Sequence, residues 1–214
     1  MSERKKKGMP LINSFSIITG AGDFYSSGTE FTIQNNESDP LDTVKDFIQA
    51  FIDYPKLLIA VVNGPAIGIA ATTAALCDIV YCSDKAYFHT PFINLGLCAE
   101  GTSSFTYPAI LGRSKASETI LLGRKIPAKE AREFGLVSEV IPHRQLEGFI
   151  KNLYQYGQLP VNAVRLNKKL LMRNVRGALT ESNNREIEDL RLCFQSEEFS
   201  KSMMTFLNKR KSKL

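Results

Sequence analysis

The alternation of apolar and polar residues is most informative between residues 57 and 101. The apolar run 57–62 predicts a buried strand, which ends at the Asn-Gly-Pro turn of residues 63–65. A segment of small residues follows and predicts a helix that starts near Gly68 and runs to Leu76. The first N–H groups of a helix have no partner within it, so this helix start is suited to stabilise an oxygen that carries negative charge.

The same periodicities divide the chain into an α/β part and a helical part. Asp39-Pro40 starts a helix whose apolar residues recur at helical spacing as far as Ile52. Strands and helices alternate up to Pro142, and the pattern after it is almost wholly helical. Strands are predicted at 15–19, 57–62, 78–82, 86–89 and 137–140, and further helices at 102–111, 114–122, 128–134, 143–156, 161–175, 180–195 and 197–208.

The charge distribution argues against a nucleic-acid groove. The net charge is +5, but residues 1–7 carry +3 and residues 201–214 carry +5, which leaves −3 on the rest of the chain. Residues 1–13 are therefore expected to form a basic, disordered N-terminus. No apolar stretch reaches the length of about 18 residues that a spanning helix needs, so no membrane span is expected.

Cysteine and histidine usage predicts no metal site. The chain has four cysteines and two histidines, and no Cys-x-x-Cys pair occurs. Free thiols in a reducing compartment are the expected state. The absence of a Gly-x-Ser-x-Gly elbow also argues against a serine hydrolase.

Glu100 is the candidate for acid–base chemistry. It follows a mostly apolar run, residues 92–99, and a carboxylate in such surroundings has a raised pKa and can act as a base near neutral pH. A surface-loop glutamate is the alternative interpretation. Small residues around Gly68 also have an alternative explanation in packing, and Ser26-Ser27-Gly28 is either a second source of an N–H donor or an ordinary loop.

The last three residues of the sequence are Ser212-Lys213-Leu214, the tripeptide that acts as a peroxisomal address at a free C-terminus. An accidental basic tail is the alternative. We expect location in the peroxisomal matrix and recognition by the peroxisomal import receptor.

Three stretches together resemble the enoyl-CoA hydratase/isomerase (crotonase) superfamily. They are residues 17–30, residues 55–68 and residues 77–80, and the likeness continues through Pro91 and residues 135–141. It extends over nearly all of residues 15–214. The resemblance is greatest to the peroxisomal Δ3,Δ2-enoyl-CoA isomerase branch, with which the C-terminal tripeptide agrees.

The resemblance implies an α/β fold in which residues 14–141 form a crotonase-like spiral of ββα turns. Residues 142–211 would form a C-terminal α-helical trimerisation region, giving a homotrimer or a dimer of trimers. Family members carry a further strand pair and helix before the equivalent of Ser14, so the spiral is expected to be N-terminally shortened. The strand at 14–19 would then have an open edge.

The resemblance also implies a binding site for an acyl-CoA. The backbone N–H groups of Ser27 and Ile69 would form an oxyanion hole for the thioester carbonyl. The substrate pocket would be lined by Ser26, Ser27, Gly28, Thr29, Glu30, Gly68 and Phe92.

The reaction follows from which acids are present. Hydratases of this superfamily use two glutamates, and the matching positions here are Thr72 and Phe92. The isomerase branch keeps one glutamate, at the position of Glu100, which would move a proton from C2 to C4 of a 3-enoyl-CoA to give the trans-2-enoyl-CoA. This reaction serves β-oxidation of unsaturated fatty acids. It implies no metal or redox cofactor. CoA enters as part of the substrate.

Two other hypotheses stay open at this point. A shortened, catalytically weak chain would act as an acyl-CoA-binding or oligomer-forming subunit. A hydratase or thioesterase on the same scaffold would hydrate its substrate or release free CoA.

Overall fold

A computed structural model describes residues 14–29 and 39–211. The predictions for residues 1–13, for Glu30 and for the tripeptide 212–214 lie outside these residues. Within them the strands are β1 (Phe15–Thr19), β2 (Leu57–Val62), β3 (Ala66–Ile67), β4 (Ile79–Ser83), β5 (Tyr87–His89), β6 (Ile126–Pro127) and β7 (Glu139–Ile141). The α-helices are α1 (Pro40–Ile52), α2 (Ile69–Ala74), α3 (Ser103–Leu111), α4 (Arg113–Leu121), α5 (Ala128–Glu133), α6 (Leu146–Leu153), α7 (Val161–Met172), α8 (Arg176–Phe194) and α9 (Glu197–Lys211).

A parallel sheet with the strand order β1-β2-β4-β7 forms the centre of the fold. Strand β2 is apolar throughout and almost completely buried, as expected for a parallel strand covered on both faces. Ile59 pairs with Ile17 of β1 on one side and with Ile79 of β4 on the other. Among the described residues β1 pairs with β2 alone, so its outer edge is open, as predicted.

A second, smaller sheet carries the start of α2. Strand β3 pairs in parallel with β5, and β5 pairs antiparallel with β6. The N–H of Gly68 donates to the carbonyl of His89 at 2.8 Å, which joins the turn before α2 to the end of β5. The sequence patterns did not predict β3 and β6, because two-residue strands carry no periodicity.

Helix α1 begins as the sequence predicts. The carboxylate of Asp39 accepts a hydrogen bond from the N–H of Leu41 at 2.8 Å, and Pro40 is the first helical residue. Ile48 and Ile52 are fully buried. Asn183 of α8 donates to the carbonyl of Lys45 at 3.0 Å, so α1 and α8 lie against each other.

The helical part of the chain differs from the prediction at several boundaries. Helix α7 ends at Met172 instead of residue 175, and α9 extends to Lys211 instead of residue 208. The predicted helix 143–156 is α6 with a 3₁₀ turn before it (His143–Gln145) and another after it (Tyr154–Gln158). Helix α8 begins at Arg176 instead of residue 180. Gly177 lowers the helix propensity there, but Arg176 donates to the carbonyl of Ile52 at 2.7 Å, and this tertiary contact holds the first turn.

A partly buried ion pair fastens α7 to the central sheet. Nζ of Lys168 donates to the Asp78 carboxylate at 2.7 Å and to the carbonyl of Lys56 at 2.9 Å. The same carboxylate accepts the N–H of Leu58 at 2.7 Å. The two side chains are 8% and 16% exposed, so removal of one charge leaves the other poorly solvated.

We predict that Lys168→Met lowers the free energy of unfolding by about 3 kcal/mol, because it leaves the Asp78 carboxylate without its cation. Urea unfolding of both proteins measures the difference. Lys169→Met removes an exposed lysine from the next position of the same helix and is the matched control. Equal midpoints for the two variants would contradict the role of the pair.

Candidate active site

The start of α2 presents backbone N–H groups that have no acceptor. Gly68 has φ 61° and ψ −130°, a conformation that residues with a Cβ atom rarely adopt, and it directs the chain from β3 into the helix. The N–H groups of Ala71 and Thr72 donate to the carbonyl of Gly68. Those of Ile69 and Ala70 have no acceptor among the described residues. As far as residues 14–29 and 39–211 show, the N–H of the predicted donor Ile69 is therefore available to bind an oxygen.

The loop that contains Ser27 runs beside this helix start. Ser26 forms a parallel bridge with Ala66, and the N–H of Ile67 donates to the carbonyl of Ser26 at 3.0 Å. The N–H of Gly28 donates to the Ser26 hydroxyl at 3.2 Å. The N–H of Ser27 has no acceptor within the described residues. Within the described residues both predicted oxyanion donors thus lack an acceptor, and they lie on neighbouring backbone segments.

Asn63 fixes the chain that leads into the Ser27 loop. Its side-chain oxygen accepts the N–H of Gly20 at 2.9 Å, and its side-chain nitrogen donates to the carbonyls of Gly22 at 2.9 Å and Phe24 at 3.3 Å. The side chain is buried between the end of β1 and the end of β2. The sequence predicts only a turn at Asn63. The signal for its bridging role is that a polar side chain follows directly after a buried strand.

The turn that carries Glu100 packs against α2. Gly101 has φ 66°, and a Cβ atom placed on it would lie 2.1 Å from the hydroxyl oxygen of Thr72. Thr72 in turn donates to the carbonyl of Ile69 at 3.1 Å. The backbone next to Glu100 therefore contacts α2 within one turn of the free N–H of Ile69.

Glu100 is partly buried, and its surroundings favour the neutral acid. Burial raises the pKa of Glu100 to about 7, and the nearby carboxylate of Glu186 adds to the shift. A carboxyl group with this pKa can accept a proton and return it near neutral pH. This environment favours the interpretation of Glu100 as a base over that of a surface-loop glutamate, and its role in the reaction stays a prediction.

Glu186 is the charged residue near Glu100 that sequence reasoning missed. It lies on α8, and only 5% of its surface is exposed. A signal was present, because the other buried residues of α8 follow helical spacing and Glu186 falls among them. They are Leu179, Asn183, Ile187 and Leu190.

Phe92 and Thr29 complete the placement of the predicted substrate residues. Phe92 is 4% exposed and packs with Leu97, Ile187 and Leu190 in the core. Its ring edge lies 3.9 Å from the position that a Cβ atom on Gly68 would occupy, so it supports the helix start from beneath. Thr29 is exposed at the end of the described segment.

Two cavities among the described residues lie away from these groups. One of about 530 Å³ is lined by residues of α7 together with Tyr54, and one of about 580 Å³ lies between α9 and the turn at Pro91. Neither is lined by Ser27, Ile69 or Glu100. Within residues 14–29 and 39–211 no group of three or more His, Cys, Asp or Glu side chains is arranged to hold a metal. None of the helices described there has the length and apolar character to cross a membrane.

Known proteins are similar to this chain in sequence and in fold. Residues 14–214 match the family described as Enoyl-CoA hydratase/isomerase. Enoyl-CoA delta isomerase 2 of Rattus norvegicus is 42% identical over 208 residues, which are 93% of this chain and 53% of that protein. Enoyl-CoA delta isomerase 3, peroxisomal, of Mus musculus is 39% identical over 93% of this chain and 66% of its own length. The chain thus spans about half to two thirds of the curated relatives that it matches.

A solved structure supports the same assignment. The crystal structure of an enoyl-CoA hydratase/isomerase from Pseudoalteromonas atlantica T6c superposes with a TM-score of 0.84 at 30% identity, over 91% of this chain and 79% of that one. The predicted crotonase-like α/β fold is confirmed. With its match over residues 14–214, the chain belongs to the enoyl-CoA hydratase/isomerase family.

Proposed function

We propose that this protein is an isomerase that moves the double bond of a 3-enoyl-CoA to the trans-2 position. The observation that carries the proposal is the surroundings of Glu100. A carboxyl group with a pKa of about 7 is carried by a turn that packs on α2, close to backbone N–H groups that have no acceptor in the described part of the chain. Relatives named enoyl-CoA delta isomerase support the same reaction.

In the proposed mechanism Glu100 first removes a proton from C2 of the substrate. The electron pair forms a dienolate, whose negative oxygen is stabilised by the N–H groups of Ser27 and Ile69. Glu100, now protonated, returns the proton to C4, and the double bond is left between C2 and C3. One carboxylate is sufficient, because the same proton leaves and returns.

The residues do not favour addition of water. Hydration in this superfamily needs two acids, and their matching positions are a threonine and a phenylalanine. Thr72 is fully buried and donates to the carbonyl of Ile69. Phe92 is buried beneath Gly68 and has no group that can activate water. A proton shift needs only one acid, and the proposed mechanism assigns that role to Glu100.

We also propose a peroxisomal location and self-association. The location is supported by one relative that is named peroxisomal. Self-association, which the family resemblance implies as a homotrimer or a dimer of trimers, is supported by exposed apolar side chains on α7. Leu166, Leu170 and Leu171 are 63%, 64% and 78% exposed. Burial of these side chains against another copy would remove apolar surface from water.

The second candidate is a chain that keeps the fold but has little activity. The observation that favours it is the open outer edge of β1 among the described residues. It predicts that acyl-CoA binds weakly and that Glu100 makes no difference to the rate, so the first experiment below separates the two candidates.

Glu100→Gln is expected to lower kcat for 3-hexenoyl-CoA by about 10²–10⁴-fold, because the amide cannot accept the C2 proton. Conversion to trans-2-hexenoyl-CoA is followed by liquid chromatography, which also detects 3-hydroxyhexanoyl-CoA and free CoA. Glu133→Gln, an exposed glutamate on α5, is the matched control and should retain the full rate.

The Glu100→Gln variant should not unfold at a lower temperature than the parent, since a neutral amide is less costly to bury than a carboxylate. Equal isomerase rates with and without Glu100 would exclude the enzyme proposal. Hydroxyacyl product or free CoA would instead identify a hydratase or a thioesterase.

The pH dependence of kcat/KM provides a second prediction. Glu100 must be ionised to remove a proton, and its pKa is raised to about 7. We therefore expect kcat/KM to fall about tenfold per pH unit below that value and to level off above it. A profile that stays flat down to pH 5 would show that the base has an ordinary carboxyl pKa or is another group.

The oxyanion donors are tested through the backbone of Gly68. Gly68→Ala is expected to lower kcat by about tenfold or more, because a Cβ atom strains this conformation and displaces the N–H of Ile69. Gly112→Ala is the control, since Gly112 also has a positive φ, 76°, and no atom lies within 4 Å of its added Cβ. Both variants should lose stability, measured by thermal unfolding, and only Gly68→Ala should lose activity. Equal losses of activity in Gly68→Ala and Gly112→Ala would contradict the role of the start of α2 as an oxyanion donor.

A further inference from the structure

Glu186 contacts the turn next to Glu100 through both of its carboxylate oxygens. Oε2 accepts the N–H of Thr102 at 2.6 Å, and Oε1 accepts the N–H of Ser104 at 2.8 Å. These are short, charge-assisted hydrogen bonds, and the carboxylate that accepts them belongs to a buried side chain on α8. The two residues contacted are the second and the fourth after Glu100.

The turn that Glu186 holds has a strained backbone. Thr102 has φ 62° and is the only residue other than glycine with a positive φ in the described part of the chain. Such a conformation costs about 1–3 kcal/mol and persists only where the surrounding structure enforces it. The Thr102 hydroxyl is buried and has no partner among the described residues, so its side chain does not provide that enforcement. The carboxylate of Glu186, which accepts the N–H of Thr102, holds the backbone in this conformation.

Glu186 also takes the place of a missing N-cap. No side chain of the local sequence caps α3, which begins at Ser103. A carboxylate that accepts the N–H of Ser104 satisfies a free donor of this helix and places a negative charge at its positive end. The cap therefore comes from α8, more than eighty residues later in the chain.

The held turn determines where Glu100 lies. The carbonyl of Glu100 accepts the N–H of Ser103 at 3.2 Å and the Ser103 hydroxyl at 2.8 Å. Gly101 is pressed against Thr72 of α2. The backbone of Glu100 is thus held from α2 on one side and, through Thr102 and Ser104, from α8 on the other.

We propose that Glu186 is a positioning residue for the reaction: it holds the turn 101–104 so that Glu100 faces the start of α2, and it places a second negative charge beside the base. The role of Glu100 in this proposal rests on the isomerase function proposed above. Glu186 is a positioning residue and not a catalytic one, because it acts through Glu100: its two oxygens accept backbone N–H groups of the turn that follows Glu100.

The second carboxylate has an electrostatic consequence. A negative charge at Glu186 disfavours ionisation of Glu100, in the same direction as burial. Glu186 is the titratable group whose charge acts on Glu100, while Asp189 and Cys193 of α8 act on Cys98, two residues before Glu100 on the same loop. No lysine or arginine forms an ion pair with either glutamate within the described residues. Removal of the Glu186 charge should therefore lower the pKa of Glu100.

Glu186→Gln tests both parts of the role. The amide keeps the size of the side chain but removes the charge and can accept only one of the two N–H groups. We expect kcat at high pH to fall about tenfold or more, and the acid limb of kcat/KM to move to lower pH by at least about half a unit. Glu188→Gln removes an exposed charge from the same helix and should change neither quantity. A purely structural role would lower kcat and leave the acid limb in place.

Glu186→Asp separates the charge from the reach of the side chain. The shorter carboxylate keeps the charge but cannot span both N–H groups, so we expect a lowered kcat with the acid limb near its original pH. A kcat equal to that of the parent would overturn the positioning role. This variant also serves as the test if Glu186→Gln does not fold.

The titration of Glu100 can be followed without any enzyme assay. Carbon-13 NMR of the glutamate side-chain carboxyls, with the Glu100 signal assigned from its loss in Glu100→Gln, gives its pKa in the parent and in Glu186→Gln. A downward shift with no isomerase activity in the parent would overturn the proposed function and leave the effect of Glu186 on Glu100 intact. An active parent with an unchanged Glu100 titration in Glu186→Gln would overturn the inference and leave the function intact.

Discussion

The contact between Gly101 and Thr72 is the constraint on which the candidate site depends. A Cβ atom at position 101 would lie 2.1 Å from the Thr72 hydroxyl oxygen, so only glycine allows the Glu100 turn to approach α2 this closely. Any larger residue would push Glu100 away from the helix start, where the N–H groups of Ile69 and Ala70 have no acceptor among the described residues.

The central sheet provides the rigid support for this contact. Strand β2 is buried between β1 and β4, and its continuation through Asn63 leads directly to β3 and Gly68. Asn63 ties the end of β1 to the end of β2, which brings the Ser27 loop beside α2. The Lys168–Asp78 pair fastens α7 to the same strands at the other end of β2, so the helical part is attached to the scaffold that positions the donors.

The site combines groups that oppose folding with groups that compensate for them. Two carboxyl groups are withdrawn from water next to each other, and Thr102 has a backbone conformation that is unfavourable for a residue with a Cβ atom. The compensation comes from backbone N–H groups that bind Glu186 and from the core around Phe92, Ile187 and Leu190. Such a combination is typical of a site whose geometry serves chemistry and not stability.

The sequence by itself determined the elements with a regular hydrophobic pattern, such as β2 and α1, and it singled out Glu100 and the start of α2. These depend on local chemistry: the period of the apolar residues, the Asp-Pro helix start and an acid in an apolar run. Only the tertiary structure decided that Glu186 holds the Glu100 turn, that α8 begins at Arg176 and that Phe92 lies in the core. Each of these outcomes depends on contacts between residues far apart in the chain, and a local pattern carries no information about which distant backbone groups a side chain will meet.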